Sequence, residues 1–162
     1  MHIWQAKCLI LWYAGTYKNN FEKKRGRFPR ALILAPTREL ASQICRDIES
    51  ISSTISACAV YGGVPYEKQE TMLNKGTDVV VGTPGRMKDM INKGTLKFTD
   101  LKVVALDEVD RMLDMGFADD VDELIGSVYQ KGQKPQTLFF SATVPSWVKG
   151  MYPKFWSQTV PE

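Results

Sequence analysis

Five short apolar runs punctuate the chain, and each closes in turn-forming or polar residues. They are Ala31–Leu34 before Pro36, Ile55–Tyr61 before Gly62-Gly63, Val79–Val81 before Gly82, Val103–Leu106 before Asp107-Glu108, and Thr137–Phe140 before Ser141-Ala142-Thr143. Within each run the apolar residues are continuous rather than alternating, the pattern of a strand buried on both faces. Amphipathic stretches separate the runs. One extends from Glu39 to about Ser50, and another, Phe117–Gln130, carries Val121, Leu124, Ile125 and Val128 at helical spacing. Strand–helix alternation of this kind predicts an α/β fold, a mostly parallel sheet flanked by helices. Such sheets gather functional residues at the carboxyl ends of their strands. All five runs end in such chemistry, which predicts one functional edge.

The remaining composition narrows the classes. At 162 residues the chain accommodates one domain with a sizeable core, and 44% hydrophobic with 24% charged residues excludes collagen, coiled-coil and disordered architectures. A net charge of +3 is too small to announce a nucleic-acid binder unless the basic residues cluster. Residues 18–30 are such a stretch, with six Lys or Arg in thirteen, and read either as a solvated loop or as a binding arm or nuclear-import signal. Cys8, Cys45 and Cys58 are scattered, with no Cys-x-x-Cys, so neither a zinc knuckle nor a disulfide framework is supported. A reducing compartment follows more easily. His2 is the one histidine, which leaves Ser-His-Asp chemistry and histidine-rich metal sites without material. The run Cys8–Ala14 is too short to span a bilayer, although Lys7 before it gives a faint likeness to a signal-peptide core.

Three kinds of motif carry chemistry. Asp107-Glu108-Val109-Asp110 follows the run VVAL. An acidic pair at the tip of a buried strand can hold Mg²⁺ over a nucleotide, mainly through water, because Mg²⁺ prefers oxygen ligands and keeps part of its hydration shell. The second carboxylate can then orient an attacking water. The same residues also fit a strand end that caps the next helix. Pro36-Thr37-Arg38-Glu39 and Thr83-Pro84-Gly85-Arg86 are two helix starts, each with a hydroxyl and an arginine. Unpaired N–H groups at a helix start attract phosphate, and arginine adds a charged planar fork. Gly62 and Gly63 let a backbone approach a ligand closely. Each of these is also an ordinary cap or turn; together they would grip a sugar–phosphate backbone without reading bases. Ser141 and Thr143 can hydrogen-bond Asp110, although a hydroxyl at a strand end is common.

The ordered set ALILAPTRELA, YGG, VGTPGR, VVALDEVDRMLDMGF and LFFSAT resembles the first RecA-like domain of the DEAD-box RNA helicases, as motifs Ia, GG, Ib, II and III. Valine in DEVD makes the nucleolar Gu-type branch the nearest likeness. The resemblance covers Lys23 to Val148 and divides the chain into a divergent segment 1–22, a RecA-like domain 23–148 and a divergent tail 149–162. It implies a single partial RecA-like domain. It implies that Asp107 holds Mg²⁺, that Glu108 positions the hydrolytic water of ATP, and that Asp110 bonds Ser141 and Thr143. It further implies that Pro36, Thr37, Arg38, Gly62, Gly63, Thr83, Pro84, Gly85 and Arg86 contact the RNA backbone, and that the chain resides in the nucleus and nucleolus, or otherwise in the cytoplasm.

The chain departs from that family at several points. No Gly-x-x-x-x-Gly-Lys-Ser/Thr string occurs. Gly15-Thr16-Tyr17-Lys18-Asn19 is the nearest echo, offering Lys18 as a phosphate partner, but it lacks the second glycine and the hydroxyl. It reads either as a degenerate P-loop or as unrelated sequence. Met72 stands where the family carries arginine three residues after Gln69, Pro153 interrupts the helix expected after Ser-Ala-Thr, and the second RecA-like domain with its arginine finger has no counterpart. Without a P-loop strand the TLFF run would be an exposed apolar edge, and the β-forming CLILWY run is a candidate to fill that gap. Three readings follow: a helicase domain retaining its acidic hydrolysis motif but inactive alone, a non-catalytic RNA-binding or decoy domain, or a partial product without independent function.

Overall fold

The computed structural model describes residues 26–129 and 134–143. Ten elements alternate along the chain: β1 Ala31–Leu34, α1 Arg38–Ile51, β2 Ala57–Val60, α2 Tyr66–Asn74, β3 Val79–Gly82, α3 Pro84–Asn92, β4 Val103–Leu106, α4 Val109–Asp114, α5 Ala118–Tyr129 and β5 Gln136–Phe139. The strands form one parallel sheet in the order β2-β3-β1-β4-β5. The α/β class and parallel sheet expected from the apolar runs are therefore present.

Continuous apolar runs are explained by two cores. Leu32, Leu34, Val80, Val104 and Leu106 point into one, with side chains of α2, α3, α4 and α5. Ala31, Ile33, Val79, Val81, Val103 and Ala105 point into the other, whose helical members Ala41, Ile44, Cys45 and Ile48 all come from α1. That division follows from handedness. The step from β1 to β2 runs one way along the sheet and later steps run the other way. A uniform right-handed crossover then requires the helix to change face. Each fully buried Leu, Ile or Val contributes about 1.5–3 kcal/mol by leaving water.

Boundaries shifted where local chemistry overrides hydropathy. Helix α1 starts at Arg38 because Thr37 is extended (φ −129°) and its Oγ1 accepts the Leu40 N–H at 3.2 Å. The Ile55–Tyr61 run supplies only four strand residues, Ala57–Val60. Strand β5 begins at Gln136 and ends at Phe139, one residue earlier at each end than the apolar run. Helix α2 went unpredicted from the sequence: only Gln69 and Leu73 of its nine residues are buried, too few for a periodic signal.

At the amino edge of the sheet, Arg27 grips β3. Its Nε lies 2.6 Å from Asp78 Oδ1 and its Nη2 2.8 Å from Oδ2, a bidentate pair. Ser56 donates to Asp78 Oδ2 through both its backbone N–H and its hydroxyl. Burial alone would raise the Asp78 carboxyl, but Arg27 and Ser56 hold it below its ordinary value. Strand β5 is the outermost strand of the described sheet, with Thr137, Leu138 and Phe139 half-buried. The CLILWY run, the Gly15–Asn19 echo with Lys18, and Pro153 lie outside the described residues.

Candidate functional site along the carboxyl edge

Register aligns the last residues of all five strands in one row, Val60–Gly82–Leu34–Leu106–Phe139. Every motif singled out in the sequence therefore emerges from the same edge. The sheet order sorts them further. Glycines, threonines and arginines follow β2, β3 and β1, while carboxylates and hydroxyls follow β4 and β5.

On the first side, Gly62 and Gly63 form an exposed turn, with Gly63 at φ +80°. That conformation favours glycine, since a Cβ would strain it. A methyl built on Gly63 would lie 3.5 Å from Arg38 Nη1, so Arg38 reaches past β3 to the turn. Arg38 is 64% exposed and pairs with Glu39 through Nε at 2.8 Å, a bond that raises the guanidinium and lowers the carboxyl. Gly82 is required for a different reason. A Cβ there would overlap the Val60 carbonyl and lie 2.8 Å from Met87 Cε. Thr83 donates its N–H to that same carbonyl at 3.0 Å, while Pro84 takes the first helical turn of α3 and Thr83 makes no side-chain cap. Thr37 Oγ1 is engaged as the α1 cap. Arg86 Nη1 donates to Val64 O at 3.0 Å and to Gln69 Oε1 at 3.2 Å. Pro36 is buried beside Ala35, and Gly85 packs near Asp120, whose Oδ2 would lie 3.7 Å from an added Cβ.

On the second side, Asp107 is 2% exposed, donates its N–H to Leu34 O, and accepts the Glu108 N–H on Oδ1 at 3.0 Å. Glu108 stands at φ 51°, ψ 53°, the one non-glycine residue with positive φ among the described residues. Left-handed backbone costs an ordinary residue about 1–2 kcal/mol. Its carboxylate meets Arg111 Nη1 at 3.1 Å. Asp110 donates its N–H to Ser141 Oγ at 3.2 Å, and Thr143 Oγ1 donates to Asp110 Oδ2 at 3.4 Å. Slight burial raises the Asp110 carboxyl, but bonds from the Arg111 N–H and the Ser141 region outweigh it and hold it low. Two backbone bonds, Phe140 N–H to Leu106 O and Val109 N–H to Phe140 O, stitch the acidic turn to the strand that ends in Ser-Ala-Thr. The strain at Glu108, the Glu108–Arg111 pair and the work of Gln69 were not read from the sequence. The Glu108–Arg111 pair has the i,i+3 spacing of a helical ion pair and could have been found; the strain at Glu108 and the bonds of Gln69 leave no signal in hydropathy or spacing.

The two described cysteines are structural. Burial pushes the Cys45 and Cys58 thiols up to about 12 and about 11, so neither supplies a thiolate at neutral pH. Among the described residues no group of three or more His, Cys, Asp or Glu could hold a metal ion by itself. The Asp107–Glu108 pair fits Mg²⁺ only as an ion that keeps water and phosphate oxygens as its other ligands. The Gly15–Asn19 echo with Lys18, the one phosphate partner the sequence offered besides these motifs, lies outside the described residues.

A parallel sheet of this strand order flanked by helices on both faces matches the RecA-like domains of DEAD-box helicase structures. The chain belongs to the DEAD/DEAH box helicase family, whose model matches residues 8–151. It is 51% identical to nucleolar RNA helicase 2 of Rattus norvegicus over 140 residues, 85% of this chain and 18% of that protein. It is 51% identical to DEAD-box ATP-dependent RNA helicase 7 of Oryza sativa over 143 residues, 87% of this chain and 20% of that protein. Among solved structures it is similar to the RNA helicase Prp28 from Chaetomium thermophilum bound to ADP, with a TM-score of 0.79 at 30% identity over 93% of this chain and 36% of that chain. A DEAD box protein from Methanococcus jannaschii matches with a TM-score of 0.78 at 34% identity over 93% of this chain and 40% of that chain. The chain thus spans about a fifth of the length of these curated relatives. The family match opens at residue 8, upstream of the Lys23 boundary drawn from the motifs, and takes in the CLILWY run and the Gly15–Asn19 echo. Among the described residues no helix is long and apolar enough to cross a membrane.

Proposed function

We propose that this chain is the RNA-backbone-gripping RecA-like domain of a DEAD-box ATP-dependent RNA helicase of the nucleolar Gu-type branch. One observation carries the reading: Arg38 lies over the exposed Gly62-Gly63 turn, on the same edge as an acidic motif bonded to Ser141 and Thr143. The turn's backbone, Arg38, Thr83 and the start of α3 supply donors suited to phosphates, contacts that carry no sequence information. Asp107 and Glu108 would hold Mg²⁺ through water beside a nucleotide, and when bound, Mg·ATP would supply the energy of strand separation. A second RecA-like domain is the partner such a site needs, and nuclear or nucleolar residence follows the relatives' names.

A titration of single-stranded RNA against the purified chain at several salt concentrations tests the grip. Affinity should fall with salt, and Arg38→Ala should make the slope shallower by about 0.7, one phosphate's share. Binding that ignores salt would sink the reading.

A second reading, a non-catalytic RNA-binding module, is favoured by the missing Gly-x-x-x-x-Gly-Lys-Ser/Thr string. A thermal melt with millimolar Mg·ATP separates the two, because a ligand of the folded state raises the midpoint. No shift favours the binding module. RNA-stimulated hydrolysis abolished by Glu108→Gln would exclude it.

A further inference from the structure

The Gly62-Gly63 turn is exposed, yet it is held from both flanks. Gln69 Nε2 donates to Tyr61 O at 2.8 Å, just before the glycines. Arg86 Nη1 donates to Val64 O at 3.0 Å, just after them. The two clamps are joined, since the same Nη1 donates to Gln69 Oε1 at 3.2 Å. Gln69 is only 2% exposed, so both ends of its amide are satisfied inside the protein. Its helix is fixed in turn by Tyr66, whose ring has Arg86 Cζ 5.6 Å and Lys93 Nζ 4.0 Å from its centroid. Arg86 and Lys93, which caps the end of α3, lie two turns apart, so Tyr66 docks the start of α2 along that helix.

We infer that Arg86 and Gln69 are a positioning pair that pre-forms the glycine turn, and that Arg86 is not itself a phosphate contact. The inference deepens the proposed RNA grip and rests on it for its consequence, though not for its geometry. A glycine pair left to itself samples many conformations, and ordering it at the moment of binding would cost affinity. Two bonds to the flanking carbonyls remove that cost beforehand. Arg86 directs its Nη1 protons at the turn's carbonyl and the amide, whereas Arg38 Nη1 is the guanidinium nitrogen found 3.5 Å from where a Gly63 Cβ would stand.

The test has one arm without RNA and one with it. Backbone order parameters from ¹⁵N relaxation should be near 0.85 at Gly62 and Gly63 in the unaltered chain and below about 0.6 in Gln69→Met, which removes both amide bonds without changing charge. Arg86→Lys is the companion variant: it keeps the charge but not the planar fork, and should loosen the same glycines. In the RNA titration Gln69→Met should bind about tenfold more weakly with the salt slope unchanged. Order parameters that stay high in both variants would overturn the inference. So would an Arg86→Ala slope shallower by about 0.7, equal to that of Arg38→Ala, since that marks a phosphate contact. If the unaltered chain binds no RNA, the proposed function fails and the order parameters alone decide the positioning pair. If Gln69→Met does not melt cooperatively, Arg86→Lys carries the same decision.

Discussion

The two halves of the carboxyl edge are built on opposite principles. Beside β2, β3 and β1 the working surface is backbone: glycines placed where a Cβ would strain or collide, with Gln69 and Arg86 bonding the carbonyls around them. Beside β4 and β5 it is side chain: a buried carboxylate, a second carboxylate on strained backbone, and a third tied to two hydroxyls. In the proposed RNA grip the first half's donors need only a phosphate. Two carboxylates cannot by themselves close the shell of Mg²⁺. On the proposed reading the first half therefore needs only RNA phosphates, whereas the acidic half needs a nucleotide and water to complete the Mg²⁺ shell.

The largest break falls on the grip. Gly82→Ala would drive a methyl into the Val60 carbonyl, where backbone rather than a flexible side chain must yield. We expect a loss of about 3 kcal/mol, read from the urea midpoint, with RNA affinity falling in parallel. A loss under about 1 kcal/mol would mean that β2 and β3 part easily. Next comes the amino edge, which serves neither half and isolates stability from function. Asp78→Asn should cost about 3 kcal/mol near neutral pH by leaving Arg27 half-buried without its carboxylate. The sign with pH is fixed by the lowered carboxyl. In the folded chain Asp78 titrates below its ordinary 3.8, so the pair's contribution is present above about pH 4 and is lost as pH falls through the lowered value. The stability gap between the unaltered chain and Asp78→Asn should close in acid; a gap that widened would contradict the assignment.

How much was legible in the sequence follows the same division. All five strands, the parallel sheet and the single edge could be read, because burial on both faces leaves continuous apolar runs ending in turn residues. The motif residues were found for the same reason: they sit at those ends. Helix α2 was not found, since it lies on the surface with Gln69 and Leu73 alone buried. Gln69 was seen only as part of an incomplete motif; its bonds to Tyr61 and Arg86 depend on how α2 docks against α3, which no local spacing encodes. The Arg27–Asp78–Ser56 clamp joins residues up to 51 positions apart and was likewise invisible. The left-handed Glu108 was hidden because nothing in its composition demands that conformation; the fold imposes it.

The smallest effects sharpen the comparison best, because they differ in sign. Gly63 and Glu108 both occupy left-handed backbone, at φ +80° and 51°. At Gly63 the residue suits the conformation, so Gly63→Ala should destabilise by about 1 kcal/mol. At Glu108 the residue opposes it. Glu108→Gly removes about 1 kcal/mol of strain. It also forfeits the partly exposed pair with Arg111, worth about 0.5 kcal/mol, so the net should be a stabilisation of about 0.5 kcal/mol. Paired denaturant melts read both changes. Opposite signs would mean that the grip is relaxed in its native geometry while the acidic turn is held against its own preference, as strained functional residues often are. If Glu108→Gly instead destabilised the chain by 1 kcal/mol or more, the carboxylate would be supporting the fold, and the contrast between the two halves would not survive.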